Sequence, residues 1–270
     1  MLIASLFALA FTALARAEPP APGAPLPTKS ADVAHALATT SVSLRSAVDA
    51  WRSSGRSSIP ADVTLYALYD QRLLRALSAN VALARAALAR LSPTLAGSVR
   101  DVITAHRELV RITPPLRKPK IRVGPAAPTA DLLRWYRQAE QRFGVPWRVL
   151  AAVNLVESAF GKLRSASAAG AQGPMQFMPS TWRKYGLGGN VHDPHDAILG
   201  AANYLRASGA AHSVRRALYA YDPSTLYVDA VLRYARRIRA DTHAFYEFYS
   251  WQVFVRTTAG AKRVTGPGLR

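Results

Sequence analysis

The chain has no cysteine among its 270 residues, which rules out disulfides and thiolate chemistry and is compatible with export without oxidative folding. It is poor in acid: 16 Asp and Glu stand against 35 Lys and Arg, giving a net charge of +19. No arginine run interleaves with aromatics, so a base-stacking nucleic-acid surface is not indicated. Neither is an internal repeat. The longest apolar run, Leu2 to Ala15, falls short of the roughly 20 residues that a comfortable membrane span needs. His192-Asp193-Pro194-His195-Asp196 is the one metal-like string, and no further His or Asp cluster completes a shell around it. No metal and no cofactor are therefore expected.

What is present points outward from the cytoplasm. The apolar run ends in Ala15-Arg16-Ala17, an Ala-x-Ala pattern, so residues 1–17 read as a secretory signal cleaved before Glu18. No Lys or Arg precedes the run. The alternative is an uncleaved anchor, the one case in which membrane contact is expected. The expected location is secreted, cell-wall or periplasmic. The basic balance then suits anionic cell-wall polymers, or reflects no more than an arginine-rich composition.

Residues 18–29, with five prolines in Glu18 to Thr28, read as a spacer. Ser30 is placed as a helix cap. Helices are predicted over 31–52, over Pro60 to Leu91 and on to Arg111, making a helical hairpin or three-helix bundle over 30–112. On the last of these, Asp101, His106 and Glu108 read as a solvated face. A proline- and lysine-rich linker, 113–129, follows, with Lys118 and Lys120 keeping it extended. The segment 130–240 is expected to fold alone from about Ala127. Within it, Asp193 should cap a helix that Pro194 begins, Val214 to Tyr221 should be a short helix, and Ser224 should cap a helix from Thr225 to Arg239. Tyr204 reads as core. The tail, 241–270, is rich in aromatics expected to pack back on the domain, and its last dozen residues read as disordered.

The most informative stretch runs from Pro146 to Trp182. Pro146 suits a helix start, and Val149, Val153, Val156 and Phe160 recur at helical spacing, with Leu155 on the opposite side. A helix apolar nearly all round is central in its domain. Glu157 lies on the edge of this stripe. Desolvation there would raise its pKa and let it serve as a general acid. The plainer reading is a helix-end carboxylate paired with Arg164. After Gly161 comes a loop of small residues, Ser165 to Gly173, which lets backbone approach a ligand closely. Then follow Met175-Gln176 and Met178-Pro179-Ser180-Thr181, with Pro179 starting a short helix.

The ordered set of Glu157-Ser158, Ser167 to Gly173, Met175-Gln176, Met178-Pro179-Ser180-Thr181 and, later, Ala220-Tyr221-Asp222 resembles the catalytic core of the soluble lytic transglycosylases. This is a lysozyme-like family that cleaves peptidoglycan glycan strands, and the resemblance covers roughly Asp131 to Arg239. It implies an all-α, lysozyme-like catalytic domain acting on peptidoglycan. Glu157 would be the single acid and base, producing 1,6-anhydromuramyl ends. Ser167, Gln176 and Tyr221 match positions that face the sugar, and Met178 either lines the cleft or packs in the core. Two departures stand out. Pro174 replaces a leucine, and Asp222-Pro223-Ser224 replaces an asparagine followed by small residues. Asp222 is expected to order its turn as asparagine does. Otherwise it supplies a second carboxylate, making the chain a hydrolysing muramidase akin to goose-type lysozyme. A wall-binding module without activity is the third reading.

Overall fold

The computed structural model describes residues 18–117 and 121–269. The predicted signal segment, Lys118 and Lys120 lie outside them. Four helices come first: α1 (Ser30–Ser53), α2 (Ala61–Ala79), α3 (Val81–Leu88) and α4 (Pro93–Ile112). Ser30 is the first residue of α1 rather than its cap, with Lys29 preceding it. The single helix expected over 60–91 breaks at Asn80, whose side chain accepts the Leu83 N–H and caps α3. The N-terminal part is thus four helices, not a hairpin or three.

Six helices follow: α5 (Thr129–Phe143), α6 (Trp147–Ser158), α7 (Pro179–Tyr185), α8 (Pro194–Ala207), α9 (Val214–Tyr221) and α10 (Thr225–Ala240). Their starts are written in capping residues. Asp193, Ser213 and Ser224 each accept backbone N–H groups at the heads of α8, α9 and α10. Helix α6 carries Leu150, Ala151, Ala152 and Val153, all fully buried, and packs against α5, α8 and α10. Burying Leu150 or Val153 contributes about 1.5–3 kcal/mol each. The site segment is therefore hung on a helix buried in the centre of its domain.

The aromatics of the tail pack back on the domain as expected, whereas the stretch read as disordered contains a strand. Helix α11 (His243–Ser250) sinks Phe245 and Phe248 into the core, and β1 (Phe254–Thr257) pairs antiparallel with β2 (Gly260–Arg263). The hairpin is held by contacts far away in sequence. Leu116 N–H bonds the Arg256 carbonyl at 2.9 Å, and Arg256 Nη1 reaches the Val110 and Thr113 carbonyls at 2.8 and 2.6 Å.

The face of α4 read as solvated is buried in an interface. Helix α4 packs along α10. Arg236 bonds Asp101 at 2.9 and 2.5 Å, Arg233 bonds both oxygens of Glu108 at 3.2 Å, and Arg75 meets His106 Nε2 at 2.8 Å. Glu108 is only 9% exposed. Its helical spacing is that of a solvated face, but the arginines that cover it arrive from 125 residues further along the chain. The buried apolar residues of α1–α4 and α5–α11 form one continuous cluster. The segment 113–117 and 121–128 runs between the two groups of helices without separating two cores.

Candidate active site

Glu157 sits in the last turn of α6, where the backbone turns sharply. Ala159, Phe160 and Gly161 follow with φ of 51°, 63° and 81°, three left-handed residues in succession, two of them bearing side chains that disfavour it. The turn is fastened by Ser158. Its hydroxyl donates to the Pro174 carbonyl at 2.5 Å and accepts the Gly161 N–H at 2.8 Å. Ser158 thus ties the end of α6 to the far side of the small-residue loop.

That loop closes on itself. Gln172 and Phe177 exchange two backbone hydrogen bonds at 2.9 and 2.8 Å, and Gln176, at φ of 48°, donates Nε2–H to the Gly173 carbonyl at 2.9 Å. Gly173 cannot be another residue: its φ is 74°, and a Cβ would lie 1.9 Å from the Val191 carbonyl oxygen. Tyr221 holds the loop from the opposite wall, donating to the Met175 carbonyl at 2.6 Å, with its ring edge-on to Phe177. Met178 is 42% exposed, which excludes the core role. Ser167 is exposed and bonds within its own turn, through its N–H and hydroxyl to Ala171. Tyr204 is half-buried and donates to the Ala220 carbonyl at 2.7 Å, supporting the end of α9 from below Tyr221.

The partner of Glu157 is one the sequence did not disclose. Tyr227, 2% exposed in the first turn of α10, donates its hydroxyl to Glu157 Oε1 at 2.6 Å. The Tyr227, Val231, Tyr234 and Ile238 spacing reads as an apolar stripe, and its one available signal was a phenol needing an acceptor in that stripe. Arg164, the cation considered for Glu157, instead donates to the Pro125 carbonyl at 2.7 Å.

The electrostatics follow from these neighbours. Burial pushes the Glu157 carboxyl up to about 8; the Tyr227 hydrogen bond opposes the rise, and the nearby Asp222 charge adds to it. Burial and the Glu157 charge hold the Tyr227 phenol well above its ordinary value, so it remains a donor. Asp222, half-buried, is also raised by burial. The turn it was expected to order is ordered by backbone, with Ser224 N–H on the Asp222 carbonyl at 2.8 Å. Among the described residues the Asp222 carboxylate accepts no hydrogen bond.

The metal-like string is a structural cap. The ligand atoms of Asp193, His195 and Asp196 lie within 4.8 Å of one another. However, Asp193 Oδ1 already accepts the His195 and Asp196 N–H groups at 2.9 and 3.1 Å, Asp196 accepts the Asn190 N–H, and His195 meets Gln138.

A half-buried glutamate at the end of an apolar helix, faced by a phenol and a closed glycine-rich loop, spans α6 to α10. The family model described as the transglycosylase SLT domain matches residues 134–242. Residues 134–242 are similar to a transglycosylase SLT domain. No curated protein and no solved structure matches the chain. The SLT domain is lysozyme-like and mainly α, and it belongs to enzymes that act on peptidoglycan. The match begins inside α5 and ends just after α10, so α1–α4, α11 and the hairpin lie outside it.

Proposed function

We propose that the chain is a lytic transglycosylase that cleaves the β-1,4 bond between N-acetylmuramic acid and N-acetylglucosamine, with Glu157 as its single acid and base. The observation that carries this reading is the pairing of Glu157 with Tyr227 in a half-buried setting that pushes the carboxyl up to about 8. Because Tyr227 donates to Oε1, the proton of the acid form resides on Oε2. Glu157 gives that proton to the bridging oxygen, and the bond to the muramyl C1 breaks. The resulting carboxylate takes the proton of the muramyl C6 hydroxyl, whose oxygen bonds to C1. No water is consumed and Glu157 regains its proton. Positioning of the internal hydroxyl supplies the entropic advantage that would otherwise require an activated water. Gln176, Tyr221, Met178 and Ser167 are assigned to substrate orientation. An extracytoplasmic location follows from the substrate. No helix among the described residues is long and apolar enough to cross a membrane.

A second reading has one observation in its favour. The Asp222 carboxylate is unbonded and close enough to raise Glu157, so it could activate water and make the enzyme a hydrolysing muramidase. Mass spectrometry of the muropeptides released by the purified chain separates the two: anhydro ends support the transglycosylase, reducing ends the muramidase. Asp222→Asn should leave the rate and the anhydro product nearly unchanged; a loss of about 10²–10⁴-fold would assign Asp222 the role of base. Glu157→Gln should lose about 10²–10⁴-fold or more in rate while glycan binding persists. Near-normal turnover by folded Glu157→Gln would remove Glu157 from the mechanism.

A further inference from the structure

A cavity of about 670 Å³ opens between α1, α2 and α4 on one side and α10 and α11 on the other. Its volume lies within the roughly 300–1,000 Å³ typical of small-molecule sites. It shares no lining residue with the Glu157 site. Leu37, Leu74, Val99 and Phe248 give it apolar walls, and its polar lining includes Asp70, Glu247, Arg237 and Trp251. These four are poorly satisfied. Arg237 Nε and Trp251 Nε1 are buried donors with no acceptor, and Trp251 is only 8% exposed. Among the described residues neither Asp70 nor Glu247 makes a hydrogen bond or an ion pair. Burial pushes the Asp70 carboxyl up to about 8, the Glu247 charge adds to the rise, and Arg237 opposes it. Burial likewise raises Glu247. Elsewhere the lining is settled: Asp241 pairs with Arg45 and His243 near the mouth.

Unpartnered buried polar groups are costly, and this cavity holds both kinds together: two acids that make no hydrogen bond or ion pair, with Arg237 near enough only to oppose their rise, and two donors without an acceptor. A cation alone would leave Arg237 and Trp251 unmatched. An anion alone would face two carboxylates. We propose that the cavity binds a small zwitterion, a free amino acid or the end of a short peptide, whose ammonium meets Asp70 and Glu247 and whose carboxylate meets Arg237 and Trp251. The apolar walls take its side chain. This site does not depend on the reaction assigned to Glu157.

Calorimetric titration of the full chain tests the proposal with leucine, leucyl-alanine, isoamylamine and isovalerate. Leucine or leucyl-alanine should bind, and the tighter of the two identifies a free amino acid or a peptide end as the source. The two half-ligands should bind at least about tenfold more weakly. Asp70→Asn and Arg237→Gln should each weaken zwitterion binding by about tenfold or more. Ser41→Trp, a substitution at the rim that leaves the buried groups in place, should block it, and Glu157→Gln should leave it unchanged. The proposal is overturned if neither zwitterion binds at millimolar concentration, if the half-ligands bind as well, or if binding survives Ser41→Trp.

Discussion

Glu108 and Glu157 are two carboxylates on largely buried helical faces, and α10 supplies the partner of each. Glu108 receives Arg233, which contacts both its oxygens at 3.2 Å. Glu157 receives Tyr227, which gives a hydrogen bond but no charge, at 2.6 Å. Positions 227 and 233 of one helix thus produce two different chemistries. A guanidinium ties its carboxylate into an ion pair and turns it into a fastener. A phenol leaves its carboxyl able to hold a proton near neutral pH and to release it. Burial raises Glu157 with no cation beside it to oppose the rise, and that separates the chemical acid from the structural one here.

The largest effect comes from removing the region that contains Glu108. A fragment beginning at Ala127 would uncover the face of α10 that α4 and its acids occupy. We expect it to aggregate or to lack a cooperative thermal transition. A soluble, active fragment with a sharp transition would show that the two regions are separable. Tyr227→Phe acts next, on the chemical acid alone. Loss of a hydrogen bond to a charged group costs about 1.5–3 kcal/mol, so kcat/KM should fall about 10–100-fold. Because that bond holds the carboxyl down, the alkaline limb of the pH–rate profile, near 8 in the parent chain, should move upward. A limb that stays put would detach Tyr227 from the titration.

Glu108→Gln acts on the fastener. It should cost about 2 kcal/mol in denaturant unfolding and leave kcat unchanged. A changed kcat with unaltered stability would reverse the comparison. The last effect is thermodynamic. The folded-state pKa of Glu157 lies above the unfolded value, so the native chain binds an extra proton between about 4.5 and 8. The stability it contributes is therefore present at the low end of that window and lost as pH rises through it. Glu157→Gln has no such proton to lose, so its melting temperature should fall less than that of the parent chain between pH 5 and 9. Parallel melting curves would argue against a raised carboxyl.

Much of this was legible in the sequence because the determinants are local. Asp193 with Pro194, Ser224 with Thr225, and the apolar run of α6 each declare a helix through residues within one turn of its end. Glu157 and Gln176 fall at one site because the loop that joins them is short and closed by its own backbone, and Tyr221 reaches that loop from the end of α9. What stayed hidden depends on distant partners. The acids of α4 look solvated until Arg233 and Arg236 arrive from α10, and Tyr227 looks like core until Glu157 meets it from 70 residues away. The tail has no apolar periodicity strong enough to announce its hairpin, because Leu116 and Gln71 supply the bonds that hold it in place.

Lys162, buried just past the turn that follows Glu157, is held by the Tyr249 and Trp251 carbonyls. Those two residues come after the SLT segment ends. During synthesis, then, the segment that carries the glutamate leaves the ribosome before the carbonyls that seat Lys162 exist. A chain stalled or clipped ahead of residue 249 carries the whole reactive motif with an ammonium stranded in an apolar site. The seat of Lys162, beside the turn that follows Glu157, is thus completed only by residues that lie beyond the matched segment.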